Sequence, residues 1–334
     1  MYNSGNGTII FEKHPSIRSF AAVVGKKEGE GPFGKHFDIV EEDEYFGQTS
    51  WEKAESEILR RSASLAISKC SIKKESIDFV IAGDLLNQCI SSGYALREFN
   101  IPFFGVYGAC STMAESLVLG SAIISGGGAE NILCATSSHF CSAEKQFRTP
   151  LEYGGQRTPN SQWTVTGSGS VIVSSSSGSP RIEAVTCGKI TDLGVTDIGN
   201  MGAAMAPAFV DTLKNHLDAL GRKPSYYDLI LSGDLGIIGK SIAKELFIKE
   251  GLGEIPHYDD CGAMIFDRDS QDTHAGGSGC GCAASILCGY ILPEMLKGTF
   301  KNVLFAATGA LMSPTATFQG ESIPSISHAI SIHA

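Results

Sequence analysis

The sequence predicts a duplicated α/β fold in five layers, α/β/α/β/α, with two mixed sheets around buried central helices. Three observations carry this. The first is an internal repeat. Asp78-Phe-Val-Ile-Ala-Gly-Asp-Leu-Leu86 matches Asp228-Leu-Ile-Leu-Ser-Gly-Asp-Leu-Gly236, and Asn131-Ile-Leu-Cys-Ala-Thr136 matches Asn302-Val-Leu-Phe-Ala-Ala307, in the same order. The second is the stretch from Gly105 to Gly128, which reads as a strand over 101–106, a tight turn through Gly108 and Ala109, and a helix opening at Cys110. Met113, Ala114, Leu117, Val118, Ser121 and Ala122 occupy several faces of that helix, so it is expected to be buried all round. The third is a counterpart over 282–296, built on Ala283, Ala284, Ile286, Leu287, Tyr290 and Ile291.

Taken in order, residues 1–18 read as a loose arm, and 19–24 as a first strand. Gly25 to Phe46 is glycine-rich and charged, with an acidic run over 41–44, and reads as a solvated loop. Ser50 is placed to cap a helix from Trp51 to about Lys69, with Glu52 in its first turn. A buried strand follows over 78–82, then a helix over 85–99, then the Cys110 stretch and a strand over 131–136. Residues 139–163 are polar, contain Gly and Pro, and read as a loop covering the site or a subunit partner. A strand over 165–174 closes the first half, residues 1–175. The second half, 176–334, repeats the order with a helix over 208–220 and strands over 228–232 and 302–307. Right-handed crossovers then stack the two Cys110-type helices in the shared middle layer. Exposed strands in such a fold favour a homodimer.

Composition narrows the function. The chain has 334 residues and is 43% hydrophobic, enough for a large core. A net charge of −10 without a basic stripe argues against nucleic acid. The polar start does not read as a signal peptide, and no uncharged apolar run reaches membrane-spanning length. The 10 cysteines are scattered through apolar segments and read as reduced core residues. Cys280-Gly-Cys282 lacks the paired spacing of a zinc site, and the reading calls for no metal and no cofactor.

Cys110 stands where a strand hands over to a buried helix. Free backbone N–H groups and the positive helix end beside its sulfur favour a thiolate, or equally a bound carboxylate. Nucleophile and anion seat both remain open from the residues alone.

Gly-Ala-Cys110-Ser-Thr before a buried helix, Thr166-Gly-Ser-Gly-Ser-Val-Ile-Val, and Gly279-Cys-Gly-Cys-Ala-Ala-Ser285 together resemble the thiolase and ketoacyl synthase III superfamily. Phe-Gly-Lys35, Ser50-Trp-Glu-Lys-Ala-Glu-Ser56, Gly108-Ala-Cys-Ser-Thr-Met-Ala-Glu115 and Gln156-Arg-Thr-Pro-Asn160 resemble, within it, the stage V sporulation protein AD family, over essentially the whole chain. The resemblance implies a thiolase-like fold and a protein that binds dipicolinic acid. It implies a part in moving that ligand, with its calcium, into the developing spore. It also implies membrane-embedded sporulation partners and a cytoplasmic location against the spore inner membrane. The superfamily's condensing enzymes use Cys with His and Asn, or Cys with two His. Cys110 matches the nucleophile, but Gly233-Asp234 stands where the His is expected and Cys280 where the Asn is expected. With those groups missing, a non-catalytic binder is the first reading. An acyltransferase using Cys110, helped by His274 or His257, is the alternative, and a scaffold docking membrane partners is a third.

The binder needs backbone and hydroxyl donors for two carboxylates, and apolar walls for a ring. The candidate ligand residues are Cys110, Ser111 and Thr112 at the helix start, His139 after a strand end, and Gly233 and Asp234. To these are added His274 and Ser278 in the turn before the second central helix, Cys280, and Gly309 after the last repeated strand. Gly233 and Cys280 are expected to widen the chamber, Asp234 to help hold calcium, and Arg148 and Arg157 to attract an anion.

Overall fold

One order of strands and helices is run through twice. The computed structural model describes residues 1–147 and 157–334. The first run is β1 (Ser16–Gly25), α1 (Trp51–Cys70), β2 (Phe79–Asp84), α2 (Ile90–Leu96), β3 (Phe103–Gly105), α3 (Thr112–Ser125), β4 (Asn131–Ser138), α4 (Phe140–Phe147) and β5 (Gly167–Ser174). The second is β6 (Arg181–Cys187), α5 (Met201–Leu220), β7 (Leu229–Ser232), α6 (Gly236–Lys249), β8 (Tyr258–Asp260), α7 (Cys280–Ile286), β9 (Asn302–Ala310) and β10 (Ser325–His333). Strand order is β3-β2-β4-β5-β1 in the first run and β8-β7-β9-β10-β6 in the second. In each, the first three pair in parallel and the last two antiparallel. The two sheets expected from the sequence meet edge to edge through one pairing, Arg181 with Ser16, so hydrogen bonds run through both.

The repeat has a common hydrogen-bond signature. Asp78 accepts from the N–H groups of Glu130 (2.7 Å) and Asn131 (3.0 Å), and Asp228 accepts from those of Lys301 (2.7 Å) and Asn302 (2.8 Å). Each Asp thereby ties the start of one parallel strand to the start of its neighbour. α3 and α7 lie in the middle layer. Met113, Ala114 and Leu117 on α3 pack in one core with Cys282, Ala283 and Ile286 on α7. α7 passes through a π-turn, Leu287–Ile291, into a last segment, Leu292–Leu296, where Pro293 removes one helix donor. Ser50 caps α1 as expected, accepting from Lys53 N–H at 3.4 Å, while Glu52 reaches across to Lys145 at 2.5 Å.

Four expectations are corrected. The arm is ordered: Tyr2–Gly5 and Thr8–Ile10 form a hairpin that extends the sheet along β6. Its turn is Asn6-Gly7, both at positive φ, a hairpin signal present in the sequence. Phe11 is fully buried behind it. The helix over 85–99 is interrupted, because Gln88 and Cys89 are left-handed (φ 59° and 51°) and regular helix covers only α2. The covering loop begins with a helix, α4. The central helix opens at Thr112 rather than Cys110, so Cys110 belongs to the turn.

Among the described residues no helix is long and apolar enough to cross a membrane. Glu28 lies in the short helix Lys26–Gly29 and accepts from Thr166 N–H at 2.9 Å, just ahead of β5. Burial pushes its carboxyl up to about 7. The folded chain therefore holds a proton that the unfolded chain releases from pH 4.5 upward, and stability falls as pH rises towards 7. The rise from 4.5 to about 7 corresponds to about 3 kcal/mol. Glu28→Gln keeps the acceptor and removes the charge. Urea denaturation should find it more stable than wild type at pH 8, by up to that amount, with the gap closing by pH 4.5.

Candidate functional site

The site is built where the first run's central turn meets the second run's last strand. After β3 the chain turns through Gly108 and Ala109, the latter at φ 50°. Gly309 on β9 presses against this turn. A Cβ on Gly309 would strike the Gly108 carbonyl and stand 3.1 Å from Ser111 N, so the approach requires glycine. The turn's polar groups are satisfied within itself. Ser111 Oγ donates to Gly108 O at 2.7 Å, and Thr112 Oγ1 donates to Ala109 O at 2.6 Å and accepts from Gly108 N at 3.2 Å. Cys280 Sγ, arriving from α7, also donates to Ala109 O at 3.0 Å.

A cavity of about 320 Å³ opens beside this turn, near the small end of the range for small-molecule sites. Leu85, Ala109, Cys110 and Ser278 line it with Ala143 and Phe147 of α4. Arg157, Gln162 and Thr164 line it too, and Asp197, Ile198, Met201 and Met312, which are exposed or half-buried, form its outer rim. The described tail of the covering loop is braced there: Gln162 Nε2 donates to Asp234 O (2.7 Å) and Gly277 O (2.8 Å). Trp163 stacks on Phe140 with ring centres 3.8 Å apart, the Lys27 ammonium lies 4.2 Å from its centroid, and the Arg157 guanidinium lies 4.8 Å from it.

The sequence-derived candidates divide sharply. Cys110 and Ser278 line the cavity; Gly309 adjoins it, its neighbour Ala310 being part of the wall. Ser111 and Thr112 are fully buried and spend their hydroxyls on the turn, so they are not ligand donors here. Gly233 does not widen the chamber. A Cβ there would meet the Ala283 side chain at 2.9 Å and Ala307 at 3.1 Å, and Thr308 Oγ1 donates to its carbonyl. Cys280 is buried behind Cys110 and packs with it. Asp234 is buried at φ 68°, away from the cavity wall. Burial, with Asp260 nearby, holds its carboxyl well above the usual range. His139 is turned inward: Nδ1 accepts from Cys141 N–H (3.1 Å) and Nε2 faces Glu44 O (2.9 Å). Burial pushes its imidazole pKa down. His274 faces Asp272 at 3.8 Å, and neither it nor His257 lines the cavity. Arg148 lies outside the described residues.

The expected thiolate is also corrected. Desolvation, then the Asp234 carboxyl, push the Cys110 thiol far above its ordinary value. The helix-start effect is real but acts at short range, and here burial outweighs it. Residues that sequence reasoning passed over include Ala143, Phe147, Asp197 and Met312. Amphipathic spacing in Phe140–Phe147 was the available signal for the first two, whereas the rim residues come together only in three dimensions.

Large-scale likeness agrees with this geometry. Ketoacyl synthase III from Aquifex aeolicus superposes with a TM-score of 0.58 at 13% identity, covering 96% of this chain and 100% of its own. Human mitochondrial 3-ketoacyl-CoA thiolase in complex with CoA gives 0.60 at 13% identity, covering 98% and 99%. The chain thus has the thiolase-like fold. Within that class, the profile of the stage V sporulation protein AD family matches residues 5–333, and stage V sporulation protein AD of Bacillus subtilis (strain 168) is 42% identical over 327 residues, 98% of this chain and 96% of that protein. The chain belongs to the stage V sporulation protein AD family.

The burial of Cys110, which disfavours its thiolate, has a direct chemical consequence. Iodoacetamide at neutral pH should label exposed Cys187 well ahead of Cys110, with Cys110 labelling only on unfolding or in strong alkali; peptide mass mapping reads both sites.

Proposed function

We propose that this chain binds dipicolinic acid without covalent chemistry in the cavity beside Cys110. In this reading it supports calcium-linked uptake of that ligand into the developing spore, docked on membrane-embedded sporulation proteins at the inner membrane. The observation that carries the reading is the cavity wall. A buried thiol, whose ionisation burial disfavours, stands at the nucleophile position, no imidazole lines the cavity among the described residues, and the Arg157 guanidinium is part of the wall. Acyl condensation needs an ionised nucleophile and donors for the developing oxyanion; loss of one such donor costs about two to three orders of magnitude in rate. Noncovalent capture of a flat dianion needs a cation, a few polar groups and apolar walls, and Arg157, Gln162, Ser278, Leu85 and Phe147 are of those kinds.

Calorimetric titration with dipicolinate should show saturable binding, weakened about tenfold or more by Arg157→Gln, as for loss of a charge-assisted contact. Absence of saturation at millimolar ligand would remove the binder reading. An acyltransferase of the ketoacyl synthase III type has the position of Cys110 in its favour. Incubation with acetyl-CoA and intact-mass measurement should leave the chain unmodified; acylated Cys110 with turnover would establish the enzyme instead.

A homodimer belongs to the same reading. β3 ends the strand order, and among the described residues its outer edge has no partner strand. Phe103 and Phe104 on it are exposed, as are Tyr107 beyond its end and Ile90 and Tyr94 on α2. Pairing with the same strand of a second copy would satisfy both edges and bury this apolar face. Light scattering should find Phe104→Lys shifted from dimer to monomer.

A further inference from the structure

The two segments that carry the cavity-lining residues Ile198 and Met312 also hold exposed apolar side chains, a shelf that the ligand reading does not use. Ile190, Leu193, Ile198 and Phe318 are 63%, 70%, 43% and 80% exposed. Three of them sit on the segment between β6 and α5, the fourth at the end of the short helix Pro314–Phe318. These segments are fastened together. Thr191 and Ser325 exchange two backbone bonds of 2.8 Å, Ile323 N–H donates to Val195 O at 2.8 Å, and Ser322 Oγ donates to Asp192 at 2.6 Å. Asp192 and Asp197 each also accept from the N–H two residues on, at 2.9 Å. The apolar side chains therefore stand in water on a braced platform rather than on a loop free to fold them inward. Ile198 is one of these four and also lines the cavity wall. Large apolar groups held out in this way mark an interaction surface.

The charges around the shelf select its occupant. Asp192, Asp197 and Glu321 lie on its segments, while Lys189 is already paired with Asp211 at 2.9 Å. A second copy docking by the same face would set these carboxylates against their own twins, and an anionic lipid surface would be repelled. We propose that the shelf docks a basic, apolar segment of a partner protein, which then covers the mouth of the cavity. This does not depend on which ligand the cavity holds.

A short amphipathic peptide of leucine and lysine serves as probe, with the same pattern in leucine and glutamate as control and phosphatidylglycerol vesicles as the lipid arm. In fluorescence titrations at physiological salt, the lysine peptide should bind wild type and the glutamate peptide should not. Leu193→Ser with Phe318→Ser should weaken binding about tenfold or more, as for loss of two apolar anchors. Asp192→Asn with Glu321→Gln should weaken it further and reduce its salt dependence. All four positions are exposed, and circular dichroism checks that the fold is retained. Lysine-peptide binding unchanged in the Leu193/Phe318 variant, equal binding of the glutamate peptide, or vesicle binding in its place would each overturn the proposal.

Discussion

The contact on which the site depends is backbone against backbone. The turn from Gly108 to Ser111, at the head of one central helix, is pressed against Gly309 on the last parallel strand of the other run. Nothing larger than hydrogen fits between them. The squeeze removes water from the turn, so its carbonyls must find donors nearby. Thr112 and Cys280 converge on Ala109 O, and Ser111 on Gly108 O, for that reason. One constraint thereby closes the helix start to a ligand's carboxylates, buries Cys110 and leaves the adjoining cavity as the open space.

The same dehydration runs through the electrostatics. Glu55, Asp84, Asp234 and Asp260 are buried carboxyls held above the usual range, and burial dominates each shift. Where donors are plentiful the carboxyl is structural. Asp260 accepts from Ser232 Oγ and from the N–H groups of Leu235, Gly236 and Ala263, at 2.7 to 3.0 Å, and so fixes the β7–α6 turn. Asp84 does the equivalent work in the first run by accepting from Leu86 and Ser92. Asp234, which follows from Asp84 by the repeat, does not take up that role. Equivalent positions in duplicated halves can keep a residue and change its function.

How much was legible in advance follows the range of the interactions. Local signals survived folding: Ser50 caps its helix, and the matched Asp78 and Asp228 make matched bonds. The fold class follows from such repeats. The Asn6-Gly7 hairpin and α4 were readable by the same rules but were outweighed by the polar look of their surroundings. Site chemistry was less legible because protonation depends on burial, which no spacing displays. Ser111 and Thr112 looked like free donors, yet they are committed to carbonyls three residues earlier. His139 looked like a pocket residue until both ring nitrogens met backbone groups.

The account stands or falls on where a small aromatic dianion goes. A crystal structure of the protein soaked with dipicolinate tests this most directly. It should show the intact ligand in the cavity between Cys110 and Arg157, with no bond to sulfur and the Gly108–Ser111 turn unmoved. Ligand seated elsewhere, or a covalent adduct on Cys110, would contradict it.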